Sequence, residues 1–286
     1  MKTLLAAIDL DQDCKRVVKR AAELALELKA SLHLVHVVDD ALTLYEPLVE
    51  IPVRHRLKQA AETALDGFFD GLPGEIKPDS ARHVLLGKPD RALARKAAEL
   101  KADLIIVGKH HLDPMRDLFL GTTAERLLRH CDIPLLMVAG DPDEPYRQVL
   151  AATDFSRSSH HALQAGLKLA PKAQVRLVHV FDPPFMGFIR HDQLEVESLR
   201  EHQRARIEHE VKTEMAHFLA DDDQSRISTE IMAGETQVCL GNAVSKHQPQ
   251  LLVLGTHGRQ GISRLLIGSV AMSFLGMPPC DVLVAR

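Results

Sequence analysis

The sequence predicts an α/β chain built as two tandem, doubly wound domains, and three observations predict it. Short apolar runs alternate with amphipathic stretches along the whole 286 residues, the pattern of strands and covering helices. The apolar runs show no in–out alternation, as expected of parallel strands buried on both faces. The pattern also occurs twice. Thr3–Asp9 (TLLAAID) matches Gln148–Asp154 (QVLAATD), and Leu34-Val-His-Val37 matches Leu177-Val-His-Val180. Gly87 and Gly108 match Gly234 and Gly255, each pair 21 positions apart, and Gly121-Thr122 matches Gly268-Ser269, each 13 residues further on. A period of about 147 residues is too long for a solenoid and right for a complete domain.

In the first copy, Lys2–Ile8 reads as a strand and Lys15–Leu28 as a helix with Val18, Ala21, Leu24 and Leu28 on one side. Ser31–Val38 is a strand, Arg54–Phe69 a helix, Ala81–Leu86 a strand, and Pro89–Leu100 a helix. Asp103–Val107 is a strand, Gly121–His130 a helix, and Pro134–Val138 a last strand. Five parallel strands per copy imply a flavodoxin-like, Rossmann-like winding of order 3-2-1-4-5, with a ligand crevice between strands 1 and 4. Asp9 and Gly108, and likewise Asp154 and Gly255, then flank that crevice. The second copy repeats the plan, with a charged helix over about Leu194–Leu219 carrying Ile207, Val211, Met215 and Phe218 on one stripe. Gly140–Pro145 (GDPDEP) is turn-rich and divides domains 1–140 and 147–286. So short a linker holds the domains in contact as an internal pseudo-dimer, and Pro134–Val138 and Val282–Ala285 are the edges suited to pairing.

Composition narrows the function classes. Net charge is −4 and aromatics are 4% with no Trp, which disfavours nucleic acid. No apolar run reaches the roughly 18 residues of a membrane span, and Leu4–Ile8 is too short for a leader core, so a cytoplasmic protein is expected. Cys14, Cys131, Cys239 and Cys280 lack CxxC spacing and suggest neither a disulfide framework nor zinc. Among sixteen histidines, His36 and His179 are equivalent and read best as packed strand residues. His202 and His209, and the pairs at 110–111 and 160–161, have no metal-site spacing. There is no GxxxxGK[ST], hence no Walker-type motor, and no GxGxxG after a strand.

The chemistry-bearing stretch is Val253-Leu-Gly255-Thr-His-Gly258, followed by Gly268-Ser269-Val270. A strand ends in a glycine turn, and a second glycine opens a helix. Such a loop admits a bulky ligand, and free N–H groups with the helix dipole attract an anion. Alone, Asp154 could be a helix cap and each glycine a turn residue. The fixed spacing G-x2-G-x9-G-[ST] favours a phosphate ligand.

With these residues, the chain resembles the universal stress protein family, in its ATP-binding branch and tandem arrangement. The resemblance covers both repeats, the two aspartates and the glycine pattern. It implies a stress-response regulator whose cofactor is ATP, with Mg²⁺ as the metal expected to accompany the phosphates. It implies that Asp154 faces the adenosine, that the Val180 backbone meets the adenine edge, and that Gly255 lies by the ribose. Gly258, Gly268, Ser269 and Val270 would wrap the phosphates. Ala152 stands where family members often carry Pro. No residue is an evident catalytic base, and His257 is the one candidate. A slow ATPase and a ligand-free protein-binding scaffold are the rival readings. A protein partner is expected without being identified, and the sequence leaves homodimerisation open.

The first copy departs from the pattern. It reads Gly108-Lys-His-His111, with Asp113 and Pro114 in the following loop. His111 replaces a glycine where backbone must approach phosphate, and Thr122-x-x-Glu125 forms a capping box. The N-terminal site is therefore expected not to take ATP.

Overall fold

The protein is described from a computed structural model, covering residues 1–10, 14–39, 53–76, 80–109, 123–181, 204–211, 213, 221–257 and 267–286. In the first half β1 (Thr3–Ala7), α1 (Cys14–Leu28), β2 (Ser31–Val38) and α2 (Val53–Asp70) follow in order. Then come β3 (Ala81–Leu86), α3 (Pro89–Leu100), β4 (Leu104–Gly108), α4 (Thr123–His130) and β5 (Leu135–Val138). The second half has β6 (Gln148–Thr153), α5 (Arg157–Leu169), β7 (Gln174–Phe181) and a helical stretch α6 at 204–211. It continues with α7 (Asp221–Gln224), β8 (Ile227–Ala233), α8 (Thr236–His247), β9 (Leu251–Gly255), α9 (Ser269–Gly276) and β10 (Asp281–Ala285). Of the long helix expected over 194–219, residues 204–211 and 213 are helical and the rest lies outside the described residues.

The ten strands form one sheet in the order β3-β2-β1-β4-β5-β10-β9-β6-β7-β8. Each half is parallel throughout, wound 3-2-1-4-5. The edges that the sequence marked for pairing do pair: β5 and β10 join the two halves antiparallel through Leu135↔Val284, Leu136↔Leu283 and Met137↔Val282. Two edge strands thus satisfy each other's backbone groups, which neither half could do alone.

The strands are buried on both sides because their runs are apolar throughout. Leu4, Leu5, Leu104, Ile105 and Ile106 are fully buried, as are Leu252, Val282 and Val284. One apolar layer, beneath α1, α2 and α5, includes Leu4, Ala21, Leu34, Ile106, Ala162, Val253 and Leu283. The other, beneath α3, α4, α8 and α9, includes Leu5, Leu93, Leu127, Leu240, Leu252, Phe274 and Val284. Both layers run unbroken across the β5–β10 seam. The carboxyl ends of β1 and β4, and of β6 and β9, consequently open two equivalent crevices.

Candidate functional site

In the second half, strand β6 ends at Thr153 and the chain turns sharply at Asp154-Phe155. Phe155 adopts φ +62°, and Leu10 in the first half adopts +65°, a left-handed conformation uncommon for such side chains. The turn is held from several sides. Asp154 Oδ1 accepts the Ser156 N–H at 3.0 Å, and Thr153 Oγ1 accepts that of Phe155 at 3.1 Å. The His179 ring bonds the Thr153 carbonyl through Nδ1 at 2.8 Å and packs on Phe155 at 4.5 Å between centroids. His36 bonds the Ile8 carbonyl in the same way at 2.6 Å. The repeated strand histidines are therefore brackets tying the end of strand 2 to the turn after strand 1. The cap of α5 is Ser156, whose hydroxyl accepts the Ser159 N–H, so Asp154 organises the turn before the helix without being its cap.

Across the crevice, β9 ends at Gly255. A Cβ there would lie 2.7 Å from Ser158 Oγ, 2.8 Å from the Ser159 nitrogen and 2.9 Å from the Ser158 carbonyl carbon. Glycine lets the first turn of α5 rest directly on the strand end. Gly108 makes the same allowance for Val17 of α1, at 3.0 Å. Beyond Gly255, Thr256 is fully buried, its N–H donating to the Ala285 carbonyl and its carbonyl accepting the Gly268 N–H at 2.7 Å. Both feet of the loop thus stand on one residue. A Cβ on Gly268 would come within 3.2 Å of that same carbonyl. His257 is fixed by its carbonyl, which accepts the Ser156 hydroxyl, and by its N–H, which donates to Ser158 Oγ. Its Nδ1 lies 2.8 Å from Thr256 Oγ1, while its Nε2 is buried with no hydrogen-bond partner among the described residues.

Helix α9 starts at Ser269, with Gly268 as an N-cap that offers no side-chain hydrogen bond, and there is no acid in its first turn. By contrast, Ser156 caps α5, and the Glu235 carboxylate caps α8 by accepting from the Gln237 and Val238 N–H groups. The start of α9 keeps its positive end unanswered by its own side chains. Ser269 is exposed, whereas Val270 and Val180 are partly buried against the apolar layer. The structure therefore brings Asp154, Val180, Gly255, His257, Gly268, Ser269 and Val270 to the carboxyl end of the sheet in this half. Gly258, Arg259 and Arg264 lie outside the described residues. So do His110, His111, Asp113, Pro114, Gly121 and Thr122 of the first copy.

The hydroxyls of Thr153, Ser156 and Ser159 form one linked group and those of Ser158 and Thr256 another, both bonded to the His257 backbone at the foot of the loop, and the sequence reading passed over them. Their signal was the run Thr153–Ser159 (TDFSRSS), where the first copy has Ile8–Cys14 (IDLDQDC). Among the described residues no group of three or more His, Cys, Asp or Glu side chains could hold a metal ion. Also among them, no helix is long and apolar enough to cross a membrane.

Comparison with known proteins gives a consistent picture. A sequence model described as "Universal stress protein family" matches residues 1–139 and again 145–286. Universal stress protein A homolog 1 of Coxiella burnetii is 33% identical over 135 residues, 46% of this chain and 93% of that protein. A Thermus aquaticus universal stress protein is 30% identical over 138 residues, 48% of this chain and 98% of its own. Among solved structures, a universal stress protein from Archaeoglobus fulgidus superposes with a TM-score of 0.67 at 16% identity. That match covers 99% of this chain and 96% of the other, so the likeness is one of fold across both halves.

Proposed function

The chain belongs to the universal stress protein family, as a tandem of two family domains, and from that premise we propose that it is a regulator that binds ATP in its C-terminal half, 147–286. The observation that carries this reading is the start of α9. An uncapped helix N-terminus, entered through a glycine pinned to Thr256, faces the Asp154 turn across the crevice. Among the described helices with a resolved cap, α5 and α8 answer their own N–H groups through a side chain, α3 has Lys88 as an N-cap without one but carries Asp90 in its first turn, and α9 has neither a capping side chain nor an acid there.

The residues suit the nucleotide. Asp154 would face the adenosine from the turn after β6, its carboxylate accepting from the ribose hydroxyls. The Val180 backbone at the end of β7 would meet the adenine edge, and Gly255 lies by the ribose. Gly258, Gly268, Ser269 and Val270 would hold the phosphates through N–H groups and the Ser269 hydroxyl. The Gly268 cradle would be filled by any Cβ, which fits a backbone approached closely by phosphate. Mg²⁺, where it enters, would be held chiefly by the phosphates themselves. Occupancy would stabilise one conformation of the loop 259–267 and present a changed surface to a protein partner, by as much as the ligand prefers that state.

One observation favours a second reading, slow hydrolysis. Among the described residues His257 Nε2 is buried without a hydrogen-bond partner at the foot of the loop, where it could orient water or a phosphate oxygen.

Titration of the full chain with ATP tests the first reading. One ATP per chain is expected, with affinity reduced at least a hundredfold in Gly268→Asp, because a carboxylate and a Cβ enter the phosphate cradle together. Absence of saturable binding, or an unchanged Gly268→Asp, overturns it. His257→Ala separates the readings: under regulation alone any phosphate release is unaffected, whereas under hydrolysis it falls while ATP binding persists.

A further inference from the structure

The outer strand of each half is tied to its neighbour by a side-chain pair at the same place, and the two pairs differ in chemistry. In the second half Arg176 of β7 and Glu230 of β8 form an ion pair at 3.8 Å, reinforced by Lys246 and His247 of α8. In the first half the equivalent residues are His33 of β2 and His83 of β3, since Val35 pairs with His83 as Val178 pairs with Glu230. His33 Nδ1 and His83 Nε2 lie 3.2 Å apart, with the rings stacked at 5.4 Å between centroids and 29° between planes. His33 is buried and His83 partly so, beneath α3 and away from the crevices at the carboxyl ends of the strands. Two ring nitrogens at that distance hold a single proton between them. Whichever ring carries it donates, and the other accepts only while its own nitrogen is bare.

We propose that the His33–His83 pair is an acid-operated latch on β3, holding the outer strand while the two nitrogens share one proton and releasing it when each carries its own. The second proton turns the acceptor into another donor and sets two positive rings in contact in a partly buried layer. The charged groups of α3 do not offset this. Lys96 opposes a further positive charge, and Glu99, which favours it, is exposed and engaged by Lys96 itself. β1 contributes only Leu5 beside His33, and Arg82 with its partner Asp66 of α2 stands on the opposite face. Burial above all, then Lys96 and His33, brings His83 down from its usual 6.5 to about 4. A histidine so depressed stabilises the fold fully above its unfolded value, and the contribution is lost as pH falls from 6.5 toward about 4, where the unfolded chain binds the proton more readily. The matching pair in the second half gives way only when Glu230 protonates, below its ordinary 4.5. Acid therefore frees the N-terminal edge of the sheet before the C-terminal one. Among the described residues no third ligand accompanies the two rings, so the cation they answer to is the proton and not a metal.

Hydrogen exchange of the full chain at pH 7 and pH 5 tests this, each rate corrected for that of an unfolded peptide and the central strand β9 serving as reference. Protection of β3 is expected to fall about tenfold relative to β9 between the two, short of what the full shift would give because His83 is partly exposed. His83→Gln, whose amide can still accept from His33 but takes no proton, should lose that pH dependence, and its melting temperature at pH 7 reports whether it folds. Ring titration by NMR of the parent needs no stable variant: one of the two imidazoles should stay neutral well below 6.5. Protection of β3 that keeps pace with β9, a folded His83→Gln that behaves as the parent, or two rings that both charge near 6.5 overturns the latch. None of these outcomes depends on whether the C-terminal half binds ATP.

Discussion

Gly255 shows why a motif glycine can have more than one reason to exist. Its spacing suggests a ligand glycine, but the fold gives it a packing duty that the sequence could not display. The first turn of α5 lies against it, with the Ser158 carbonyl carbon 2.9 Å from where a Cβ would be. Backbone cannot swing aside as a flexible side chain can. Gly255→Ala is therefore expected to lower unfolding stability by about 1–3 kcal/mol, seen as a reduced urea midpoint with unchanged slope. It should weaken ATP binding as well, by shifting the turn that carries Asp154. The same pair of roles explains what was legible in the sequence at this scale. Glycine spacing, aspartate position and strand histidines are repeated within one chain, so they could be read. The local run Thr153–Ser159 shows the hydroxyls, but the bonds that several of them make to the foot of the loop, such as that between Ser158 and His257, span about a hundred positions, and the sequence does not show them. Tyr146 and Asp281 were equally silent, since each is an ordinary residue until the fold brings them together.

Secondary structure was the most legible level, because apolar runs bounded by glycine and proline specify parallel strands directly. The expected β1, β3, β4 and α3 agree with the observed elements to within a residue or so at each end, a shift of the size that fraying produces. The short α7 was missed, since Asp221–Gln224 (DDDQ) carries no apolar periodicity. At this scale Ser156 joins two elements, capping α5 and donating to the His257 carbonyl at the foot of the loop. Ser156→Ala should cost about 1–2 kcal/mol through the lost cap and also release the loop, so that hydrogen exchange at 256–257 rises in a way that a cap loss confined to α5 would not cause. The outer strand β8 makes a pH-dependent claim. Burial alone would raise the Glu230 carboxyl, but hydrogen bonds from Lys246 and His247 of α8 outweigh it and hold the group below its ordinary 4.5. A depressed carboxyl stabilises the fold fully above its unfolded value and loses that contribution as pH falls through the folded value. The parent should therefore lose about 1 kcal/mol relative to Glu230→Gln between pH 5 and pH 3, a modest figure because the network is partly exposed. Parallel urea titrations of the two proteins at each pH would measure the difference, and parallel curves across that range would refute it.

At the scale of the whole molecule, one buried cluster decides how the halves are joined. Asp281 of β10 is fully buried and accepts from Arg20 Nε at 3.0 Å, the Tyr146 hydroxyl at 2.5 Å, and the Ala139 and Gly140 N–H groups at 2.8 and 2.7 Å. Arg20, from α1 of the first half, also donates to the Asp141 and Glu144 carbonyls of the linker and lies 4.6 Å above the Tyr146 ring. One carboxylate and one guanidinium thus gather the linker, the last strand and the first helix, with every bond spanning more than a hundred residues of sequence. In the first half, the position 147 residues earlier is Pro134, which accepts nothing from its neighbours through a side chain. The clasp is therefore a feature of the joined chain and not of the repeated unit. Removing Asp281 leaves the buried Arg20 with only the part-exposed Glu23 carboxylate and the linker carbonyls, and leaves the Tyr146 hydroxyl and two N–H groups without their acceptor, so Asp281→Ala should destabilise the protein by about 3 kcal/mol. Arg20→Met with Asp281→Leu removes both charges, and it should recover a large part of that loss if the cluster's worth lies mainly in mutual neutralisation. A double-mutant cycle by urea unfolding reads the coupling directly. If the double variant is as unstable as Asp281→Ala, the backbone bonds from Ala139 and Gly140 are what hold the linker, and the ion pair with Arg20 contributes little beyond its own desolvation.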